Sequence, residues 1–143
     1  MRTNVELIQM LYEAFRNGRI DTILEHCSDT IAWDCIGNPD WVPLAGTRTG
    51  KAAVQRFFEE LARGYTFEEF TPESFHDAGD RVFCFGHERV NATATEQTID
   101  VRFLHAFRIE SGKVAGFTQF SDTAAVAIGS GTLRVAGEKT KAA

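Results

Sequence analysis

The feature that most limits what this chain can fold into is a change of hydrophobic period at Gly64. Before that residue apolar side chains recur at helical spacing except over 30–36; after it they alternate, segment after segment, as they do in strands. Val5, Ile8, Leu11, Tyr12 and Phe15 share one helical face, which Asn17-Gly18 ends. Asp21 is placed to cap a second, short helix burying Ile23 and Leu24, and Thr30 to Ile36 alternates as a first strand closed by Gly37-Asn38-Pro39. A loop carrying Trp41, Pro43 and Gly46 leads to a third helix, whose stripe of Ala52, Ala53, Val54, Phe57, Phe58 and Leu61 stops at Gly64. Four strands follow, over 65–76, 81–92, 98–109 and 114–120, separated by short polar or Gly-containing segments that imply an antiparallel meander. The predicted fold is therefore α+β: a curled antiparallel β-sheet covered by three N-terminal helices, which close its concave face into a cone.

Size and charge narrow the function. A chain of 143 residues fits one domain, placed at 1–128, and residues 129–143 are small, polar and basic without a period, as in a flexible tail. The hydrophobic fraction of 43% and as many as 12 Phe supply more apolar surface than a core of this size needs, so some aromatic side chains are expected to line a cavity. The formal charge is −5 with scattered basic residues, which disfavours nucleic acid as a partner. Without a signal-like apolar core or a membrane-length apolar run, a cytoplasmic, water-soluble protein is expected. Cys27, Cys35 and Cys84 are odd in number and form no metal-ligand spacing, and no phosphate-binding glycine motif occurs, so neither metal nor cofactor is expected.

Three segments carry a family resemblance. Residues 43–58, running from Pro43-Leu44-Ala45-Gly46 into helix three, the hairpin His105 to Val114, and Phe120-Ser121-Asp122-Thr123-Ala124-Ala125-Val126 resemble the nuclear transport factor 2-like superfamily, in its SnoaL-like and ketosteroid isomerase-related branch. The resemblance spans roughly residues 5 to 128. It implies a cone with one apolar pocket, and a fold that serves isomerases, dehydratases, hydrolases, cyclases and binding modules alike.

The resemblance places a proton-shuttling aspartate at Asp34, where a carboxylate among Ile, Trp and Cys would be partly desolvated, which suits a general base. The resemblance places the isomerases' hydroxyl donor on Leu11, with Tyr12 one residue along on the helix, and their second acid on His105. By strand alternation His105 shares a face with Val101, Phe103, Phe107 and Ile109, so a neutral imidazole able to polarise a carbonyl or exchange a proton is expected there. Asp122 matches the acid/base position of SnoaL-like cyclases, and also reads as the cap of a short C-terminal helix. Trp33, Trp41, Phe58, Phe85, Phe103 and Phe117 are expected as aromatic wall and Gln119 as a hydrogen-bonding group at the floor.

These residues point to a cofactor-independent isomerase- or cyclase-type enzyme, moving a proton on a small hydrophobic ketone-like molecule. Two alternatives stay open: a non-catalytic ligand-binding or dimerisation module, and an epoxide hydrolase-like enzyme using Asp122, or Asp100 with Arg102, which requires those charges to face inward. Leu104 and Ala106 on the outer face of the sheet imply a homodimer through that face.

Overall fold

The computed structural model describes residues 1–137. Helices α1 (Asn4–Arg16) and α2 (Ile20–Glu25) lead to strand β1 (Cys27–Cys35), a short β2 (Gly46–Thr49) and helix α3 (Lys51–Gly64). Strands β3 (Tyr65–Asp77), β4 (Arg81–Ala92), β5 (Thr98–Glu110) and β6 (Lys113–Ser121) form the meander, and α4 (Thr123–Gly129) follows. The sheet order is β2-β1-β6-β5-β4-β3. Two features depart from the expected meander. β6, the last strand of the meander, comes to lie beside β1 and parallel to it, and residues 46–49, expected as loop, pair with β1 as an edge strand.

Local chemistry explains the helix ends. Thr3 and Glu6 form a reciprocal capping box at the start of α1, satisfying two otherwise orphaned N–H groups. α2 is not capped by Asp21, which sits in its first turn; Arg19 occupies the cap position. α3 starts from Gly50, whose φ of +90° is one that a side chain would strain.

Two glycines allow close packing where a side chain would not fit. A Cβ on Gly86 of β4 would lie 2.1 Å from the Phe103 ring, so the missing side chain seats that ring across the sheet. Gly129, at the end of α4, packs where a Cβ would come within 2.2 Å of Ile99. Residues just past 128 are consequently part of the packed body. Ser130 Oγ is 2.7 Å from the Tyr65 hydroxyl, and the Thr132 hydroxyl donates to the Trp41 carbonyl. The remainder of the expected tail, 138–143, lies outside the described residues.

The main core joins α1, α2, α3 and the inner faces of β1, β4, β5 and β6, with Ile8, Ile31, Val54, Val82 and Val114 fully buried. No helix among the described residues is long and apolar enough to cross a membrane.

Candidate functional site

The core is not filled to its centre. Between α1, α3 and the concave sheet lies an apolar cavity of about 140 Å³, partly open to solvent. That is the scale of a void able to hold one aromatic ring. Its wall is built by period: α1 presents the neighbours Leu11 and Tyr12 and, one helical turn on, Phe15, and β1 presents Trp33 and Cys35, two residues apart.

At the floor, three polar side chains from three elements satisfy one another. The Tyr12 hydroxyl is 2.7 Å from His105 Nδ1, and His105 Nε2 is 3.1 Å from Gln119 Oε1. An amide oxygen can only accept, so Nε2 carries the proton, Nδ1 offers its lone pair, and Tyr12 donates to it. Burial, opposed in part by the Gln119 hydrogen bond, pushes the His105 pKa down to about 3 and keeps the ring neutral. Burial also raises the Tyr12 phenol well above its usual range.

Glu88 is the residue that sequence reasoning missed. It lines the cavity from β4 as a half-buried side chain, and no donor among the described residues hydrogen-bonds to its carboxylate. Burial raises its pKa from 4.5 to about 7, with His87 pulling weakly the other way. Its charge reaches far enough to push Tyr12 and Cys35 upward. The available signal was phase: Glu88 alternates with Val82, Cys84 and Val90, all buried, whereas His87 and Arg89 share the outward phase of Phe83 and Phe85.

Of the expected site residues, Tyr12, His105, Trp33, Phe58, Phe117 and Gln119 line the cavity. Asp34 does not. With Trp33 and Cys35 committed to the inner face, alternation turns Asp34 to the outer one, between Thr47 of β2 and Thr118 of β6. Asp122 is occupied as the cap of α4, accepting from the Ala125 N–H at 3.1 Å, and is not part of the wall. Trp41 is 48% exposed on its loop, and Phe85 is 48% exposed on the outer face. Phe103 is buried beneath the cavity, stacked on His105 at 4.1 Å and Phe70 at 5.4 Å. Asp100 turns outward into an ion cluster with His87 and Arg89, and Arg102 is exposed on the same face, so the inward charges that hydrolase chemistry requires are not there.

Cys27 and Cys35 also line the cavity, but burial pushes their thiols up to about 11 and about 12, which keeps them protonated and poor nucleophiles. No group of three or more His, Cys, Asp or Glu side chains among the described residues is arranged to hold a metal ion.

A six-stranded curled sheet with helices against it and one apolar cavity between them, with a neutral polar floor and one isolated carboxyl, is an α+β cystatin-like fold. The chain belongs to the SnoaL-like domain family, whose model matches residues 8–117. Solved structures agree. An NTF2-like protein from Burkholderia thailandensis E264 is 27% identical, with a TM-score of 0.83 over 90% of this chain and 98% of that one. An NTF2-like protein from Burkholderia xenovorans LB400 is 24% identical, with a TM-score of 0.80 over 89% and 95%. TerC, crystallised with polyporic acid, is 27% identical, with a TM-score of 0.74 over 85% and 93%. No curated protein matches the chain.

Proposed function

We propose that this protein is an isomerase- or cyclase-type enzyme that moves a proton on a small apolar molecule, with Glu88 in the role first assigned to Asp34. The observation that carries the reading is the position of Glu88: a carboxyl group without a hydrogen-bond partner among the described residues, in the wall of an apolar cavity, with a pKa of about 7. Near neutral pH such a group is present in both forms, so it can give a proton and take one back without large cost in either direction.

His105, Tyr12 and Gln119 have a different role in this reading. Glu88 and Cys84 are four residues apart on β4, and Cys84 is the register partner of His105, so Glu88 starts about 13 Å along the strand from the His105 rung. The triad therefore forms the floor of the cavity and helps to orient a bound molecule, and Glu88, whose side chain reaches the same cavity from further along β4, does the proton chemistry. TerC's crystallisation with polyporic acid supports treating the cone as a small-molecule site.

The test is carbon-bound hydrogen exchange in D2O over a panel of aromatic and terpenoid ketones, enols and alkenes. Wild type is expected to accelerate exchange, and Glu88→Gln to lose about 100-fold or more; a variant that keeps the wild-type rate removes Glu88 from the chemistry. Binding without conversion is the competing reading, favoured by the mutual satisfaction of Tyr12, His105 and Gln119. Ligands held tightly but never exchanged by wild type would establish it.

We also propose that two copies pair through the outer sheet face. Phe85, Leu104 and Phe120 form one rung across β4, β5 and β6 there, with Phe85 48% and Phe120 46% exposed.

A further inference from the structure

The surroundings of Glu88 determine which sign of charge the cavity tolerates. Glu88 is register-paired with Phe70 of β3, whose ring centroid lies 5.0 Å from that of Phe15 and 5.8 Å from that of Phe67. Phe67 and Phe70 are three residues apart and would normally face opposite ways. The bulge between Phe67 and Glu69 adds the residue that brings both to the inner face. Tyr12 stacks on Phe70 at 5.7 Å, and all four rings line the cavity with Glu88. Aromatic faces are negative, so those of these rings whose faces border the cavity favour a cation as the carboxylate does. Among the described residues no Lys or Arg lines the cavity.

The donors that would stabilise an anion are mostly engaged elsewhere. Tyr12 donates to His105, His105 donates to Gln119, and the Tyr65 hydroxyl is paired with Ser130. The Trp33 indole N–H has no partner but is buried within the wall. What remains on β6 is the Gln119 amide N–H₂ and the Ser121 hydroxyl, both neutral.

We propose that the cavity is built for positive charge: it binds apolar organic cations, and the proton transfer of Glu88 proceeds through a cationic substrate carbon rather than an enolate. This deepens, and rests on, the assignment of Glu88 as the proton-transferring group. In the step itself the carboxyl O–H bond breaks and a substrate π pair takes the proton as a new C–H bond. The adjacent carbon is left positive beside the Phe15, Phe67 and Phe70 rings. Return of a proton from a neighbouring carbon to the carboxylate restores a π bond in a new place, an isomerisation. Attack by a second π bond of the same molecule before that return forms a C–C bond and moves the positive charge to that bond's far carbon, whose neighbouring C–H then gives its proton to the carboxylate and leaves a new π bond, a cyclisation. Glu88 ends in its starting form in both cases.

The test compares two probes of nearly equal shape, benzyltrimethylammonium and its uncharged carbon isostere neopentylbenzene. Dissociation constants are measured by NMR titration at pH 8 on wild type, Glu88→Gln and Phe70→Leu. Wild type is expected to favour the cation by about tenfold or more, with that advantage gone in Glu88→Gln and reduced in Phe70→Leu. Equal affinity, preference for the isostere, or failure of wild type to bind the cation overturns the proposal, as does a cation preference that survives intact in Glu88→Gln. Should Glu88→Gln fail to fold, Phe70→Leu decides alone: an undiminished cation preference overturns the role of the rings. Because the readout is binding, it separates from turnover. Glu88-dependent exchange without cation preference sinks this inference alone; cation preference with exchange retained in Glu88→Gln sinks the proton-transfer reading.

Discussion

Glu88 makes a prediction about stability that needs no substrate. Its carboxyl has a pKa of about 7 in the folded protein against an ordinary value of 4.5. The folded state therefore holds on to a proton that the unfolded chain has already released, and stability falls as pH rises between those two values. Below pH 4.5 both states are protonated and the group costs nothing; above pH 7 both are ionised and the cost is complete. At about 1.4 kcal/mol for each pKa unit, the full cost is about 3 kcal/mol. Less than 1 kcal/mol of it is present at pH 5, so about 2.5 kcal/mol is lost between pH 5 and pH 8. Glu88→Gln keeps the shape and cannot ionise. Its stability minus that of wild type should increase by about 2.5 kcal/mol between pH 5 and pH 8, and taking this difference cancels any pH-independent cost of burying the amide. Urea denaturation of both proteins at the two pH values, with m-values compared, measures it. If the gap between them is the same at pH 5 and pH 8, Glu88 is not a desolvated acid, and the proposed proton chemistry loses its physical basis.

The imidazole of His105, held neutral with a pKa pushed down to about 3, should show no NMR titration between pH 5 and pH 9, whereas a midpoint near 6.5 would place it in solvent. Tyr12→Phe leaves the His105 Nδ1 lone pair buried without its donor, and chemical denaturation should register a loss of about 1–3 kcal/mol. Gly129→Ala drives a Cβ to 2.2 Å from Ile99 and should cost about 1–3 kcal/mol; an unchanged melting temperature would mean that α4 does not dock as described. Phe85→Glu with Phe120→Glu should leave a monomer in sedimentation equilibrium under conditions where wild type is dimeric, and a monomeric wild type would refute pairing through that face.

Much of the architecture was legible in the residues because it rests on local rules. The switch of period at Gly64 separates the α1–α3 half from the four-strand meander, and the Asn17-Gly18 stop and the turns at 77–80 and 110–113 divide the elements close to their observed ends. The inward phase of β5 was equally plain, since Val101, Phe103, Phe107 and Ile109 leave His105 no other face. β2 was not legible, because Gly46–Thr49 is too short to show a period and owes its strand conformation to pairing with β1.

The site divided along the same line. That Tyr12 meets His105 across 93 residues, and that both belong with Gln119, required the helix to be laid on the sheet. Asp34 drew attention for its chemical company in sequence, yet adjacent residues on a strand face opposite ways, so its apolar neighbours are evidence against its burial with them. Glu88 is the converse: its neighbours His87 and Arg89 make it look like one more charge on a solvated strand, whereas its phase with Val82, Cys84 and Val90 sets it on the inner face, where the cavity leaves it without a hydrogen-bond partner among the described residues. Period and turn chemistry are short-range properties that the chain carries in its order of residues. Which carboxylate is deprived of water depends on what packs against it from far along the chain, and that only the tertiary structure decides.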